Sequence, residues 1–300
     1  MHEVKIGSLS EYIECIEKLS SYYPMGVVAE NPVANPFLYR GICDSSYELL
    51  PSVFRKCIDI ECGHEIDNYK YLAWTTEKGL LQAFMHEASG LLSIPTHDLK
   101  LWAEYAQHYG VPTRFLDWTE NPLVALYFAC KDKTEHDGCV WLIHRFNYDS
   151  FFRKNTDITP KKTNYNTIQN IIVDLLNGKS DIEYPLIYTP YYVDARMSAQ
   201  KSYFMVWGNK EESFESMVNN EKYMMDLPEK EDDSKRSYGA EQDEQFIFKF
   251  FIYADRKQPL LHQLDTVGIN EKTLFPGLDG IGRYVERQYR FDYNESKGAF

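Results

Sequence analysis

No apolar run in the chain approaches the roughly 20 residues that a membrane-spanning helix requires, and no charged segment followed by an apolar stretch opens it. These absences predict a soluble chain with no membrane partner. Cysteine is sparse and scattered: Cys15, Cys43, Cys57, Cys62, Cys130 and Cys139 show no dense pairing pattern, so reduced thiols in a cytoplasmic protein are expected. Positive charge is also scarce, with 32 Lys and Arg against 45 Asp and Glu and a net charge of −13. Duplex binding draws most of its affinity from phosphate neutralisation, so this balance argues against a broad nucleic-acid surface and leaves room only for a local basic pocket. There is no internal repeat, no glycine-rich phosphate loop, no G-x-S-x-G elbow and no H-E-x-x-H pair, and several common enzyme classes drop out with them. Cys57, Cys62 and His64 offer three metal ligands without a nearby fourth, so they are read as loop residues and no metal is expected.

The 300 residues are 44% hydrophobic and 26% charged, as in an ordinary globular protein long enough to bury its own core. Aromatics reach 15%, with 23 Tyr, which favours sheet and aromatic packing over a plain helical bundle. Ser8 and Glu11 have capping-box spacing ahead of Ile13, Ile16 and Leu19, which predicts a helix over 8–23; residues 24–36 are turn-rich. Phe37 to Gly41 reads as a strand with Leu38 and Arg40 on one face and Phe37 and Tyr39 on the other. Gly41 would admit a ligand or another backbone, and Arg40 faces either solvent, an ion-pair partner or a ligand. Residues 47–55 read as an extended segment entering a turn. Leu80, Leu81, Phe84, Met85, Ala88, Leu91 and Leu92 mark a core-facing helix over 77–92, with His86 and Glu87 on its solvated flank.

The densest chemistry lies between Gln107 and Ala129. Asp98 is placed to cap a helix over 98–109 that Gly110 ends. A strand over 114–118 then puts Asp117 and Thr119 on one side and Arg114, Leu116 and Trp118 on the other. Asn121 and Pro122 open a helix that is apolar all round and therefore buried. Further strands are expected at 139–146, 187–192, 203–207 and 246–253, and further helices around Ile168 to Leu175, over 259–267 and from Leu278 through Ile281, Tyr284 and Val285. Residues 226–245 hold eight acidic and three basic residues and read as a solvated, disordered loop. His108 suits a general base, because its ordinary pKa lies near neutrality. It equally suits the carboxyl end of a helix, where it would offset the dipole. Asp117 is either a site carboxylate or a partner of Arg114 or of the Asn121 helix, while Trp118 and Tyr109 read as packing.

Three blocks carry a resemblance: Leu38-Tyr39-Arg40-Gly41, the segment Tyr47 to Arg55, and Ala106 to Thr119. Together with Ala125 to Ala129, Arg196 to Phe204 and Leu274 to Gly280, they resemble the FRG domain over about residues 35–287. The implied organisation is an N-terminal helix and connection (1–34), an FRG domain (35–287) and a tail (288–300). Where the family has a glycine shortly after the Gln of R-x-x-x-Q, this chain has Lys201-Ser202-Tyr203. The order of elements is similar to that of ADP-ribosyltransferases. The resemblance implies an α+β fold with a mixed, partly split antiparallel sheet and helices packed around it. It further implies NAD as substrate, an NAD-handling toxin or antiphage defence effector, and an acceptor on a protein or nucleic acid. By the same resemblance Arg40 would hold the diphosphate, with Tyr39, Gly41, Tyr109 and Arg114 nearby; Thr119 would support the nicotinamide ribose, and Gln200 or Glu244 would take the third position. A guanidinium fork suits a diphosphate, and a carboxylate suits the oxocarbenium character of a breaking glycosidic bond. Two alternatives accompany this reading: a non-catalytic module for a nucleotide or phosphate ligand, and a nuclease or hydrolase using Arg114, His108 and Asp117.

Overall fold

A computed structural model describes residues 4–23, 35–58, 65–67, 77–92, 97–156, 165–190, 192, 194–218, 221–225, 227 and 244–297. In chain order the elements are β1 (Val4–Ile6), α1 (Leu9–Tyr22), β2 (Phe37–Ile42), a 3-10 turn at Ser52–Phe54, β3 (Lys56–Ile58), β4 (Glu65–Asp67), α2 (Glu77–Ala88), α3 (Leu99–His108), β5 (Phe115–Thr119), α4 (Pro122–Cys130), β6 (Gly138–His144), α5 (Arg145–Lys154), α6 (Tyr165–Leu176), β7 (Leu186–Tyr188), α7 (Ala195–Ala199), β8 (Ser202–Val206), α8 (Phe214–Met217), β9 (Ile247–Ile252), α9 (Ala254–Thr266), α10 (Glu271–Leu274) and α11 (Leu278–Lys297).

The fold is α+β around one mixed sheet of seven strands in the order β1-β9-β6-β2-β5-β8-β7. Its neighbours are antiparallel except β1, which runs parallel to β9. β2 lies at the centre and alternates as its sequence requires: Leu38 and Ile42 enter one apolar core, Phe37 and Tyr39 the other. β6 beside it is buried throughout, with Cys139, Trp141 and Ile143 on the first face and Val140 and Leu142 on the second. Among the described residues β3 and β4 pair only with each other. Among the described residues no helix is long and apolar enough to cross a membrane.

Several elements follow their sequence signals closely. The Ser8 and Asp98 side chains accept from the third residue onward, Glu11 N and Leu101 N, and Asn121 accepts from Leu123 N with Pro122 at the first helical position. Gly110 ends α3 at φ +82°. α4 is apolar all round because it lies between β2 and α9.

Other expectations are corrected. α2 stops at Ala88, so Leu91 falls in the following turn and is 86% exposed instead of joining the core. The strand read over 139–146 ends at His144, whose imidazole caps α5 by accepting from Asn147 N at 3.3 Å; Tyr148, Phe151 and Phe152 then bury one face of that helix. α9 starts at Ala254, ahead of the expected Pro259, which sits inside the helix. On α11 Leu278, Ile281 and Val285 are exposed and only Tyr284 of the expected face is half-buried, so among the described residues most of that face meets no core. The segment over 47–55 contains a 3-10 turn. Residues 24–34, Cys62 and His64, and residues 228–243 lie outside the described residues.

Two positions generate tests. A Cβ on Gly41 would lie 1.8 Å from the Ala125 carbonyl oxygen and 2.7 Å from Ala129 N, so α4 rests directly on the β2 backbone. Neither backbone can yield without parting helix from sheet. Gly41→Ala is expected to lower unfolding free energy by about 3 kcal/mol or more in chemical denaturation; native stability in the variant would contradict this contact. His144 is 2% exposed and burial pushes its pKa from 6.5 down to about 4. Because the folded value lies below the unfolded one, stability rises with pH across this interval and is lost on acidification, by up to about 3 kcal/mol from this group. His144→Asn keeps a capping acceptor. Its stability is expected to fall less steeply than that of the parent between pH 6.5 and pH 4, and parallel curves would show that another group is responsible.

Candidate functional site

The sheet is weakest at its centre. β2 and β6 run in register from Phe37 opposite His144 to Ile42 opposite Cys139, whereas β2 and β5 share a single pair, Tyr39 opposite Thr119. A side chain spans the gap beyond that pair: Arg40 Nη1 donates to the Asp117 backbone oxygen at 2.5 Å. Arg40 is partly exposed overall, but its Nε is buried and has no acceptor among the described residues. Trp141, its register partner on β6, and Trp118 on β5 belong to the core on the same face, and among the described residues their buried indole N–H groups also lack acceptors. An unsatisfied buried donor costs about 1–3 kcal/mol, so an acceptor reaching the Arg40 guanidinium would be stabilising there.

Burial pushes the Arg40 pKa down to about 10, Asp117 pulls it up and Arg55 pushes it further down. The group therefore remains a cation at neutral pH. Arg55 donates from Nε to the Leu50 oxygen at 2.9 Å, and burial lowers its pKa as well. Two guanidiniums thus repel each other beside the junction, and an anion between them would relieve that repulsion.

Asp117 supplies the opposite sign. Its side chain is exposed, and Oδ2 accepts from Gln107 Nε2 at 2.7 Å. Gln107 Oε1 in turn accepts from the Thr113 hydroxyl, which also accepts from Phe115 N at 3.2 Å. The last turn of α3 is thereby fixed against the start of β5. Next along α3, His108 Nε2 is paired with Asp194 Oδ2, and the same carboxylate's Oδ1 caps α7 by accepting from Met197 N at 2.8 Å. Burial lowers the His108 pKa, Asp194 raises it, Arg196 lowers it and Asp117 raises it. Arg40, Gln107, His108, Asp117, Asp194 and Arg196 consequently form one electrostatic group around the junction.

The remaining expected residues sit differently. Thr119 donates its hydroxyl to the Gln200 backbone oxygen at 2.6 Å and accepts from Asn121 N at 3.0 Å, so it ties β5 to the end of α7. Gln200 spends its amide on the Leu274 oxygen at 3.0 Å. Lys201, which follows it, has φ +46°, a left-handed conformation that glycine adopts without strain. Glu244 pairs with Lys154 and Lys222 and with none of the group around Arg40. Tyr39 is buried in the opposite core, and Gly41 is covered by α4. Tyr109 is 64% exposed, stacked on Tyr105 instead of packed in the core. Arg114 is held by Glu77, at 2.5 Å through Nε and 2.8 Å through its backbone N–H, so it is not the partner of Asp117.

Sequence reasoning missed Gln107 and Asp194. Gln107 stood beside His108 in the same block. Asp194 carried only the weak signal of a carboxylate before a short helix.

The family model for the FRG domain matches residues 35–138. Residues 35–138 carry an FRG domain. The matched span runs from the entry to β2 as far as the start of β6 and holds Arg40, Arg55, Gln107, His108 and Asp117. Asp194 and Arg196 lie beyond it. No curated protein and no solved structure matches the chain.

Asp194→Asn keeps the α7 cap and removes the charge that faces His108. The His108 pKa is expected to fall further below 6.5 in an imidazole NMR titration. An unchanged or higher value would detach Asp194 from His108.

Proposed function

We propose that the β2/β5 junction of the FRG domain binds NAD by its diphosphate and breaks the bond between nicotinamide and ribose, passing the ADP-ribosyl group to water or to an acceptor nucleophile on a protein or nucleic acid. The observation that supports this most directly is Arg40: one nitrogen is anchored on the Asp117 carbonyl and Nε is buried without an acceptor. An anchored guanidinium with a free donor edge suits a diphosphate oxygen, and Arg55 adds a second positive charge beside it.

In this reading the nicotinamide nitrogen leaves with the bonding electron pair and the ribose carbon gains oxocarbenium character. The exposed Asp117 carboxylate, oriented by Gln107, stabilises that charge. His108 is neutral at pH 7 because burial lowers its pKa, and Asp194 orients it to take the proton from the attacking hydroxyl or water. Activity should therefore fall on acidification as His108 becomes protonated.

A second reading, binding of a nucleotide without turnover, is favoured by the engagement of both the Thr119 hydroxyl and the Gln200 amide inside the fold. A hydrolytic role built on Arg114 is disfavoured because Glu77 occupies that side chain.

Purified protein is expected to release nicotinamide from NAD and to gain thermal stability with NAD, about 2.7 kcal/mol at a hundredfold excess over Kd. Arg40→Lys keeps the charge and loses the fork, and should remove both effects. Stabilisation by NAD without nicotinamide release would establish the second reading, and the absence of both in the parent protein would refute the site.

A further inference from the structure

A separate half-open cleft of about 980 Å³ lies on the second-core side, where the end of α4 meets α9, α10 and α11. Its wall holds four cations, and they are not equivalent. Lys131 is paired with Asp132, and Arg287 is bridged to Glu271 at 3.0 Å and Asp265 at 3.3 Å. Arg196 and Arg283 instead lie over the ring of Phe275, with guanidinium carbons 4.8 and 4.6 Å from its centroid, and neither makes an ion pair among the described residues. Each guanidinium is held over the ring by cation–π attraction, and among the described residues neither donates a hydrogen bond.

In a chain with a net charge of −13, two guanidiniums held on one ring with no ion pair to either among the described residues are an unusual positive feature. The cleft reaches the upper end of the size range of small-ligand sites, about 300–1,000 Å³, which leaves room for more than a bare phosphate. Phe128 and Tyr127 add aromatic surface to the same wall. The two features together, two guanidiniums and aromatic rings lining one wall, match a ligand that is anionic at one end and a flat heterocycle at the other.

We propose that this cleft is a second binding site, distinct from the β2/β5 junction, that takes a phosphorylated nucleotide with its phosphate against the guanidiniums of Arg196 and Arg283. Glu286 also lines the cleft and opposes the anion. Arg196 connects the two places: its charge acts on His108, so a phosphate bound to it reports at the candidate base. The site does not depend on NAD chemistry at Arg40.

AMP is the probe, with adenosine and inorganic phosphate as comparison arms, in calorimetric titrations of the whole chain. AMP is expected to bind the parent and Arg40→Lys alike, to weaken by about tenfold or more in Arg283→Gln, and to tighten in Glu286→Gln. Adenosine should bind at least about tenfold more weakly than AMP, since the charge-assisted contacts are lost. Arg283 is exposed, so its substitution leaves the core intact. Binding that is indifferent to Arg283→Gln, binding abolished by Arg40→Lys, equal affinity for adenosine, or no binding of AMP at all would each overturn the proposal. A rise in the His108 pKa on AMP addition would support the link through Arg196, and a fall would contradict it.

Discussion

Where the ladder between β2 and β5 stops, a guanidinium takes over. The Arg40 hydrogen bond to the Asp117 carbonyl joins the two halves of the sheet by a side chain instead of by further backbone pairs. That substitution has a chemical result. A backbone ladder would have consumed the polar groups on both strands, whereas a charged fork uses one nitrogen for the junction and leaves others for something else. The seam is at once the least bonded line in the sheet and the place where its polar chemistry collects.

What surrounds the seam keeps it open. Gly41 lets α4 lie against β2 on one face, which closes the second core there. Around the junction α3 delivers Gln107 and His108, and the short α7 delivers Asp194 and Arg196. Each of these side chains is restrained by a second partner: Gln107 by Thr113, and Asp194 by the α7 cap. Restraint of this kind holds charges at fixed separations in a partly buried setting, where their mutual influence exceeds what solvent would allow.

Local signals were legible in the sequence and distant ones were not. Ser8, Asp98 and Asn121 announced their helices because capping is settled within a few residues, and the strand period correctly put Arg40 on the Leu38 face. The same period grouped Asp117 with Thr119 but did not reveal that one is exposed while the other is spent on Gln200. That outcome depends on α7, far along the chain. Arg114 likewise found Glu77, a partner that no spacing rule connects to it. α5 was overlooked because the buried triplet Tyr148, Phe151 and Phe152 directly follows a strand with strong β composition, and the cap between them is a histidine. The Leu278, Ile281 and Val285 stripe has the period of a core helix and yet faces outward, since period reports amphipathicity and says nothing of what covers the apolar side.

The parallel pairing of β1 with β9 bears on the order in which the molecule assembles. Val4 lies opposite Phe250, so the first strand closes the sheet edge against one of the last. Loop-closure entropy makes such a pairing slow, and during synthesis it waits until β9 has emerged. Until then α1 has no α9 to rest on, and its buried Tyr12 and Leu19 are without their core. The edge of the sheet is thus the natural last step of folding, and the interval before it is when the nascent chain exposes most apolar surface to its surroundings.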